Sequence, residues 1–238
     1  MKIALLGYGK MGKEVEKIAR ERNHEIILKI DNNNDWKNKS NLLQKAQVAI
    51  DFSMPDVIVS NIHKCFEKDL PVIVGTTGWY DQLEEVKKLC IEKEQSLLYA
   101  SNFSIGVNVF FEVNKKLAKL MNKFNEYNVL IKEIHHTQKL DAPSGTAISL
   151  ANDIIKIIER KEEWVKALAQ SDSEFEIKSV RKDNVTGTHI IEYDSEIDTI
   201  EIKHTAKNRK GFALGAILAS EWIFDKKGFF DFSVMLDY

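Results

Sequence analysis

The chain has 238 residues, 44% hydrophobic and 29% charged, a balance that supports one large or two modest folded cores. Its formal net charge of -2 excludes a field strong enough to hold nucleic acid or an anionic membrane surface. No apolar run approaches the roughly 18 to 20 residues that cross a bilayer, and the two distant cysteines, Cys65 and Cys90, fit neither a disulfide framework nor a zinc site. The N-terminus enters a strand-like run at once, with no leader-like segment, so a cytoplasmic protein with reduced, packed thiols is expected.

The first hundred residues alternate strand and helix patterns. Ile3 to Leu6 is a short apolar run, and Lys10 to Arg22 carries Met11, Val15, Ile18 and Ala19 on one helical face. Ile26 to Ile30 is apolar and ends at Asp31, and the asparagine-rich Asn32 to Ser40 reads as loop. Strands are expected at Val48 to Phe52, Val72 to Val74 and Ser96 to Ala100, and helices at Pro55 to Lys68 and Tyr80 to Lys93. Such alternation predicts a parallel sheet covered by helices on both faces.

Beyond Ser104 the pattern changes. Helices are expected at Val109 to Met121 and Ser144 to Arg160, and a strand at Asn128 to Ile134. Phe175 to Val180, His189 to Tyr193 and Thr199 to His204 read as antiparallel neighbours in that strand's sheet. Turn signals at Asn184, Gly187 and Asp194-Ser195 separate them. Charged Lys161 to Glu174 reads as an exposed connection. Gly211 to Phe224 reads as a helix returning to the first domain, followed by a short apolar tail. The fold class expected is α/β: a Rossmann-like parallel-sheet domain over 1–104 and 208–238, and a smaller α+β domain with a mixed or antiparallel sheet over 105–207.

Gly7-Tyr8-Gly9-Lys10-Met11-Gly12 follows the first strand and opens the first helix, the context in which G-x-G-x-x-G cradles a pyrophosphate. Asp31 at the end of the second strand can accept from ribose hydroxyls. Small polar groups recur at later strand ends: Asp51-Phe52-Ser53, Gly75-Thr76-Thr77-Gly78 and Ala100-Ser101-Asn102-Phe103-Ser104. Each alone is also a plain hydrogen-bonded loop; their repetition along one sheet edge favours a shared dinucleotide site, with Thr76 and Thr77 toward a ribose and Asn102 toward the carboxamide.

The densest chemistry runs from Glu133 to Ala147. His135, His136 and Lys139 follow a strand, and Pro143-Ser144-Gly145-Thr146 opens a long helix whose first amides can hold a carboxylate. Gly145 lets an anion approach closely. A small dianionic substrate suits such a cradle. Paired histidines also suggest a metal, but no neighbouring cysteine or acidic group completes a ligand set by sequence, and none is expected.

This stretch resembles the E-x-H-H-x-x-K-x-D-A-P-S-G-T-A motif of the dihydrodipicolinate reductase family. Gly75 to Gly78 is similar to that family's G-T-T-G, Ala100 to Val107 to its A-x-N-F-S-x-G-V, and Arg209 to Ala216 to its R-x-x-F-A-x-G-A. The resemblance covers nearly the whole chain in order. It implies NAD(P)H-dependent reduction of a small cyclic dicarboxylate, 4-hydroxy-tetrahydrodipicolinate, on the route to diaminopimelate and lysine. It implies His135 as proton donor and acceptor, Lys139 as proton donor, and substrate contacts from His136, Gly145 and Thr146, beside Ser144. It also implies a homotetramer, for which Ile190 and Ile200 suggest an apolar sheet face. Lys10 stands where members carry arginine and Asn32 where some carry a basic residue, so both NADH and NADPH are expected to serve, with NADH preferred.

Overall fold

A computed structural model of the chain describes residues 1–183 and 185–236; Asn184, read above as a turn signal, lies outside them. The chain divides into two compact units, one formed by Met1–Ile105 with the segment from Lys210 onward, the other by Gly106–Arg209. In the first unit, strands β1 (Lys2–Leu6), β2 (Glu25–Ile30), β3 (Val48–Asp51), β4 (Val72–Val74) and β5 (Ser96–Tyr99) alternate with helices α1 (Lys10–Glu21), α2 (Asn33–Lys39), α3 (Ile58–Phe66) and α4 (Leu83–Glu92). Alternate strand positions feed two cores. Ile3, Leu5 and Ile50 pack with Val15, Ile18 and Ala19 of α1 on one face. Ala4, Leu6 and Ala49 pack with Ile58, Ile62 and Cys65 of α3 and Val86 and Cys90 of α4 on the other. Each such aliphatic side chain contributes roughly 1.5–3 kcal/mol on burial. Both cysteines are buried free thiols, and burial raises both pKa values, that of Cys90 to about 11.

Two expectations change here. The stretch after Asp31 is not loop but α2. Asparagine is a poor helix former, yet the Asn32 side chain caps this helix by accepting from the Asn34 and Asp35 amides, and Lys39 pairs with Asp35 one turn back. The third helix starts at Ile58 rather than Pro55, because residues 55–57 form a turn.

The second unit runs through α5 (Ile105–Met121), β6 (Asn128–His135), α6 (Gly145–Ile157), β7 (Glu163–Val165), β8 (Glu174–Arg181), β9 (Gly187–Asp194) and β10 (Thr199–Ala206). Its sheet has the order β10-β9-β6-β8-β7. The expected row of antiparallel neighbours is corrected: β6 lies between β8 and β9, antiparallel to β9 but parallel to β8. The expected exposed connection over 161–174 contains β7, parallel to β8, and Lys161 is buried with its ammonium donating to the Asp172 and Glu174 carbonyls. Val129 and Ile131 of β6, Phe175 and Ile177 of β8 and Ile191 and Tyr193 of β9 face Leu150 and Ile154 of α6 in one core. Ile200 stands opposite Tyr193 and Ile190 opposite Lys203, so the two isoleucines point to opposite faces and do not form one apolar patch.

The chain then returns to the first unit as α7 (Lys210–Ile223), β11 (Gly228–Asp231) and α8 (Phe232–Leu236). Helix α7 packs on α1, and Ala213, Ala216 and Ile217 complete that core. The tail is not merely apolar: β11 pairs in parallel with β5 and makes the sheet six-stranded, in the order β11-β5-β4-β3-β1-β2. The chain steps outward from β1 to β2, then crosses to β3 on the other side. The crevice of such a sheet lies beyond the strand ends at that reversal, between β1 and β3.

Candidate active site

The reversal point is built for close backbone approach. Gly7 has φ +87, and a Cβ there would stand 2.4 Å from the Phe52 carbonyl oxygen after β3; at Gly12 it would stand 2.3 Å from the Gly7 oxygen. Gly9 opens onto free space, and α1 begins without a side-chain cap or an acidic residue in its first turn. Its first amides therefore point at space into which an anionic group fits. The Tyr8 amide donates to Asp31 Oδ1 at 2.8 Å and so fixes that carboxylate beside the loop. Lys10 is exposed and Met11 partly so. The Tyr8 hydroxyl bonds Glu16 and accepts from Lys29 at 3.0 Å; burial works against charge on Glu16, but Lys29, Tyr8 and Arg20 outweigh it and lower its pKa to about 2.

The next strand ends are knit together by Asp51. Its fully buried carboxylate accepts from the Ser53 amide and hydroxyl, from Asn61 and from the Thr76 hydroxyl. Burial raises its pKa, and these neutral donors only partly oppose the rise. Thr76 is thus buried and committed, whereas Thr77 is exposed at the edge. Gly75 leaves room for the Phe52 ring, which a Cβ would meet at 2.1 Å. Ala100 is hydrogen-bonded to Val74, Ser101 is exposed, and Asn102 Oδ1 accepts from the Ser104 amide. The Phe103 ring is core, packed edge-on against Phe52 and Phe232, so only its backbone reaches the edge.

In the second unit the buried face of the sheet changes character along β6. Val129 and Ile131 are followed on the same face by Glu133 and His135. Glu133 has no exposed surface. Its Oε2 accepts from the Ser144 amide at 3.0 Å; its Oε1 accepts from the Ser179 hydroxyl at 2.8 Å and lies 3.3 Å from both terminal nitrogens of Arg181. Burial opposes its charge, but the His135 ring 3.4 Å away, Ser144 and Ser179 more than offset that, and its pKa lies well below the carboxylate range. The His135 ring packs edge-on against His189, at 5.1 Å between centroids. Burial first, then repulsion from His135, lowers the His189 pKa to about 4. Gly187 makes room for the His135 ring, which a Cβ would meet at 3.1 Å.

Glu133, His135 and His189 hold three potential ligand atoms within 4.8 Å of one another. The premise that no acidic group stands near the paired histidines is corrected for His135: strand alternation brings Glu133 to it, and the second histidine of the cluster is His189, not His136. Both Glu133 oxygens already accept hydrogen bonds, and Arg181 beside them opposes a cation.

His136 lines a cleft of about 630 Å³ with Gln138, Asp183, Thr186, Lys207 and Arg209. Lys139 turns instead to Asp141, with both oxygens at 2.8 Å. Ser144 is buried and spent as the N-cap of α6: its amide donates to Glu133 and its hydroxyl accepts from Ala147. Gly145 opens onto free space, and its amide and that of Thr146 are those the cap does not take. Sequence reading gave no role to Glu133, Arg181, His189, Lys207 or Arg209. The parity of Glu133 with His135 on one strand was the available signal; nothing local marks Arg181.

A doubly covered parallel sheet with a glycine turn at its reversal point, followed by a separate mixed-sheet unit, defines a Rossmann-like architecture with a second α+β unit. The family model described as dihydrodipicolinate reductase, N-terminus, matches residues 1–103, and that of the C-terminus matches residues 106–236. A 4-hydroxy-tetrahydrodipicolinate reductase from Christiangramia forsetii is 49% identical over 97% of this chain and 95% of that protein. One from Rickettsia bellii is 34% identical over 92% and 87%. Among solved structures, the dipicolinate-bound dihydrodipicolinate reductase from Paenisporosarcina sp. TG-14 superposes with a TM-score of 0.77 at 24% identity, covering 97% of each chain. The chain belongs to the dihydrodipicolinate reductase family and is an oxidoreductase of diaminopimelate and lysine biosynthesis.

Proposed function

We propose that the chain reduces 4-hydroxy-tetrahydrodipicolinate to tetrahydrodipicolinate, with one hydride and one proton entering and one water leaving. A bound nicotinamide dinucleotide supplies the hydride. The first unit binds it through Gly7 to Gly12, Asp31, Gly75 to Thr77 and Ala100 to Phe103; the second unit, 105–207, binds the cyclic dicarboxylate and carries the oligomer contacts. The observation that carries this reading is the open helix start at Gly145, in the same unit as Lys139 and a cleft lined by His136, Lys207 and Arg209: a small dianion matches donors of this kind. The Gly145 and Thr146 amides take one carboxylate, with Ser144 holding the turn. Lys139 exchanges Asp141 for the substrate and donates a proton, His135 relays a proton, and His136 contacts the substrate from the cleft wall. Turnover of the condensation product of pyruvate and aspartate semialdehyde, followed by nicotinamide absorbance, tests this; no turnover with either cofactor overturns it.

Both cofactors serve, with NADH preferred. The Tyr8 amide holds Asp31 beside the glycine loop, and a carboxylate there favours a free ribose 2′-hydroxyl over a 2′-phosphate. Asn32 is committed to capping α2, and Lys39 to Asp35. Lys10 remains as a point charge for the phosphate. A clear NADPH preference at fixed salt overturns this. No helix among the described residues is long and apolar enough to cross a membrane, which suits a cytoplasmic enzyme. The homotetramer rests on the resemblance alone, and light scattering checks it.

A further inference from the structure

The segment between β6 and α6 carries Lys139 yet has little of its own to hold it. Leu140 is 97% exposed. Among the described residues, the one backbone hydrogen bond closing this turn is Lys139 N–H to the His136 carbonyl. The Thr137 hydroxyl donates to Asp183 Oδ1 at 2.7 Å near its start, and Arg181, at the end of β8, holds the part around Leu140. Its Nε donates to the Lys139 carbonyl at 3.2 Å, its Nη2 to the Asp141 carbonyl at 2.5 Å and its Nη1 to its neighbour Val180 at 3.1 Å. The same guanidinium is seated on buried Glu133, and Glu133 in turn receives the Ser144 amide that starts α6. One planar group thus ties two carbonyls flanking Leu140 to the carboxylate that anchors the helix.

We infer that Arg181, seated on Glu133, is a positioning residue that sets the Lys139 ammonium against the Gly145 helix start. This rests on the assignment of those groups to the dicarboxylate. Neutralising Glu133 alone would need only a positive charge, which lysine also supplies. Holding two carbonyls and a carboxylate at once needs the rigid fork of a guanidinium, which lysine lacks.

Arg181→Lys therefore separates the two roles. It is expected to lower kcat/KM for the dicarboxylate roughly tenfold to a hundredfold, the value of one charge-assisted hydrogen bond, while KM for NADH stays at the wild-type value. In Arg181→Ala, millimolar guanidinium is expected to restore part of the lost turnover. A readout independent of chemistry is trypsin cleavage after Lys139, identified by fragment mass. It should be faster in folded Arg181→Lys than in wild type, with the thermal midpoint little changed. Wild-type turnover in Arg181→Lys, or equal cleavage rates in the two proteins, would overturn the inference. If Arg181→Ala does not fold, Arg181→Lys carries the test. If the wild type does not turn over the substrate, the functional reading fails by itself and the cleavage comparison still decides the role of Arg181.

Discussion

Two carboxylates, Asp51 at the end of β3 and Glu133 near the end of β6, have no exposed surface, yet their acidities move in opposite directions. Asp51 is met only by neutral donors from Ser53, Asn61 and Thr76, and burial prevails. Glu133 is met by an amide, a hydroxyl, a guanidinium and an imidazole, and these prevail over burial. The first edge meets its buried carboxylate with neutral hydrogen-bond donors alone. The second uses a buried ion pair whose guanidinium also holds the Lys139 and Asp141 carbonyls. Burial alone does not set a carboxylate's state; the charge of its partners does.

The sharpest way to break that contrast is Glu133→Ala. It leaves Arg181 and His135 without their anion, and breaking such a buried pair costs roughly 3–5 kcal/mol. Urea unfolding should show this as a lower midpoint with an unchanged slope; a loss under about 1 kcal/mol would mean the pair is not a buried anchor. Next comes acid. His189 takes its proton at 6.5 when unconstrained but near 4 when folded. Between those values the unfolded chain binds more protons, so stability is full above about pH 6.5 and falls as pH drops toward 4, by on the order of 3 kcal/mol. His189→Gln should flatten that window in urea titrations; an unchanged slope would assign the loss elsewhere.

Lys139→Ala follows in size. It should reduce turnover roughly tenfold to a hundredfold while leaving NADH affinity intact, because the proposed function sets that charge against the dicarboxylate and not the nucleotide. Fluorescence titration with NADH beside steady-state rates separates the two; undiminished turnover would remove Lys139 from the mechanism. The smallest effect belongs to Asp51→Asn. The Asn61 Oδ1 is buried without a partner, so a flipped Asn61 amide can accept from the new side chain. The cost should stay within about 1 kcal/mol, far below that of Glu133→Ala; equal losses would abolish the distinction between the two edges.

The two edges also differed in how far they could be read from the sequence. The glycine turn, Asp31 and the small polar strand ends are local signals, each within a few residues of the strand that positions it. The Pro-Ser-Gly-Thr helix start is local as well. Arg181 meets the Lys139 loop only because β8 lies parallel beside β6, with Ser179 opposite Glu133 and Arg181 opposite His135, a long-range register that periodicity does not encode. Helix α2 was hidden by low propensity and recovered by a cap and an ion pair. Strand β7 was hidden by charge, and β11 read only as part of a short apolar tail.

That last short strand has a consequence for how the molecule comes into being. Residues 228–231 close the edge of β5, whose Leu97 and Leu98 are fully buried. A ribosome making this chain has produced the whole contiguous second unit before it releases the segment that completes the first sheet. The later-made unit is therefore free to fold first, and the earlier-made one waits with an open strand edge. Chains that stall before Gly228 lack the strand that covers that edge, the kind of unpaired edge through which chains pair with one another.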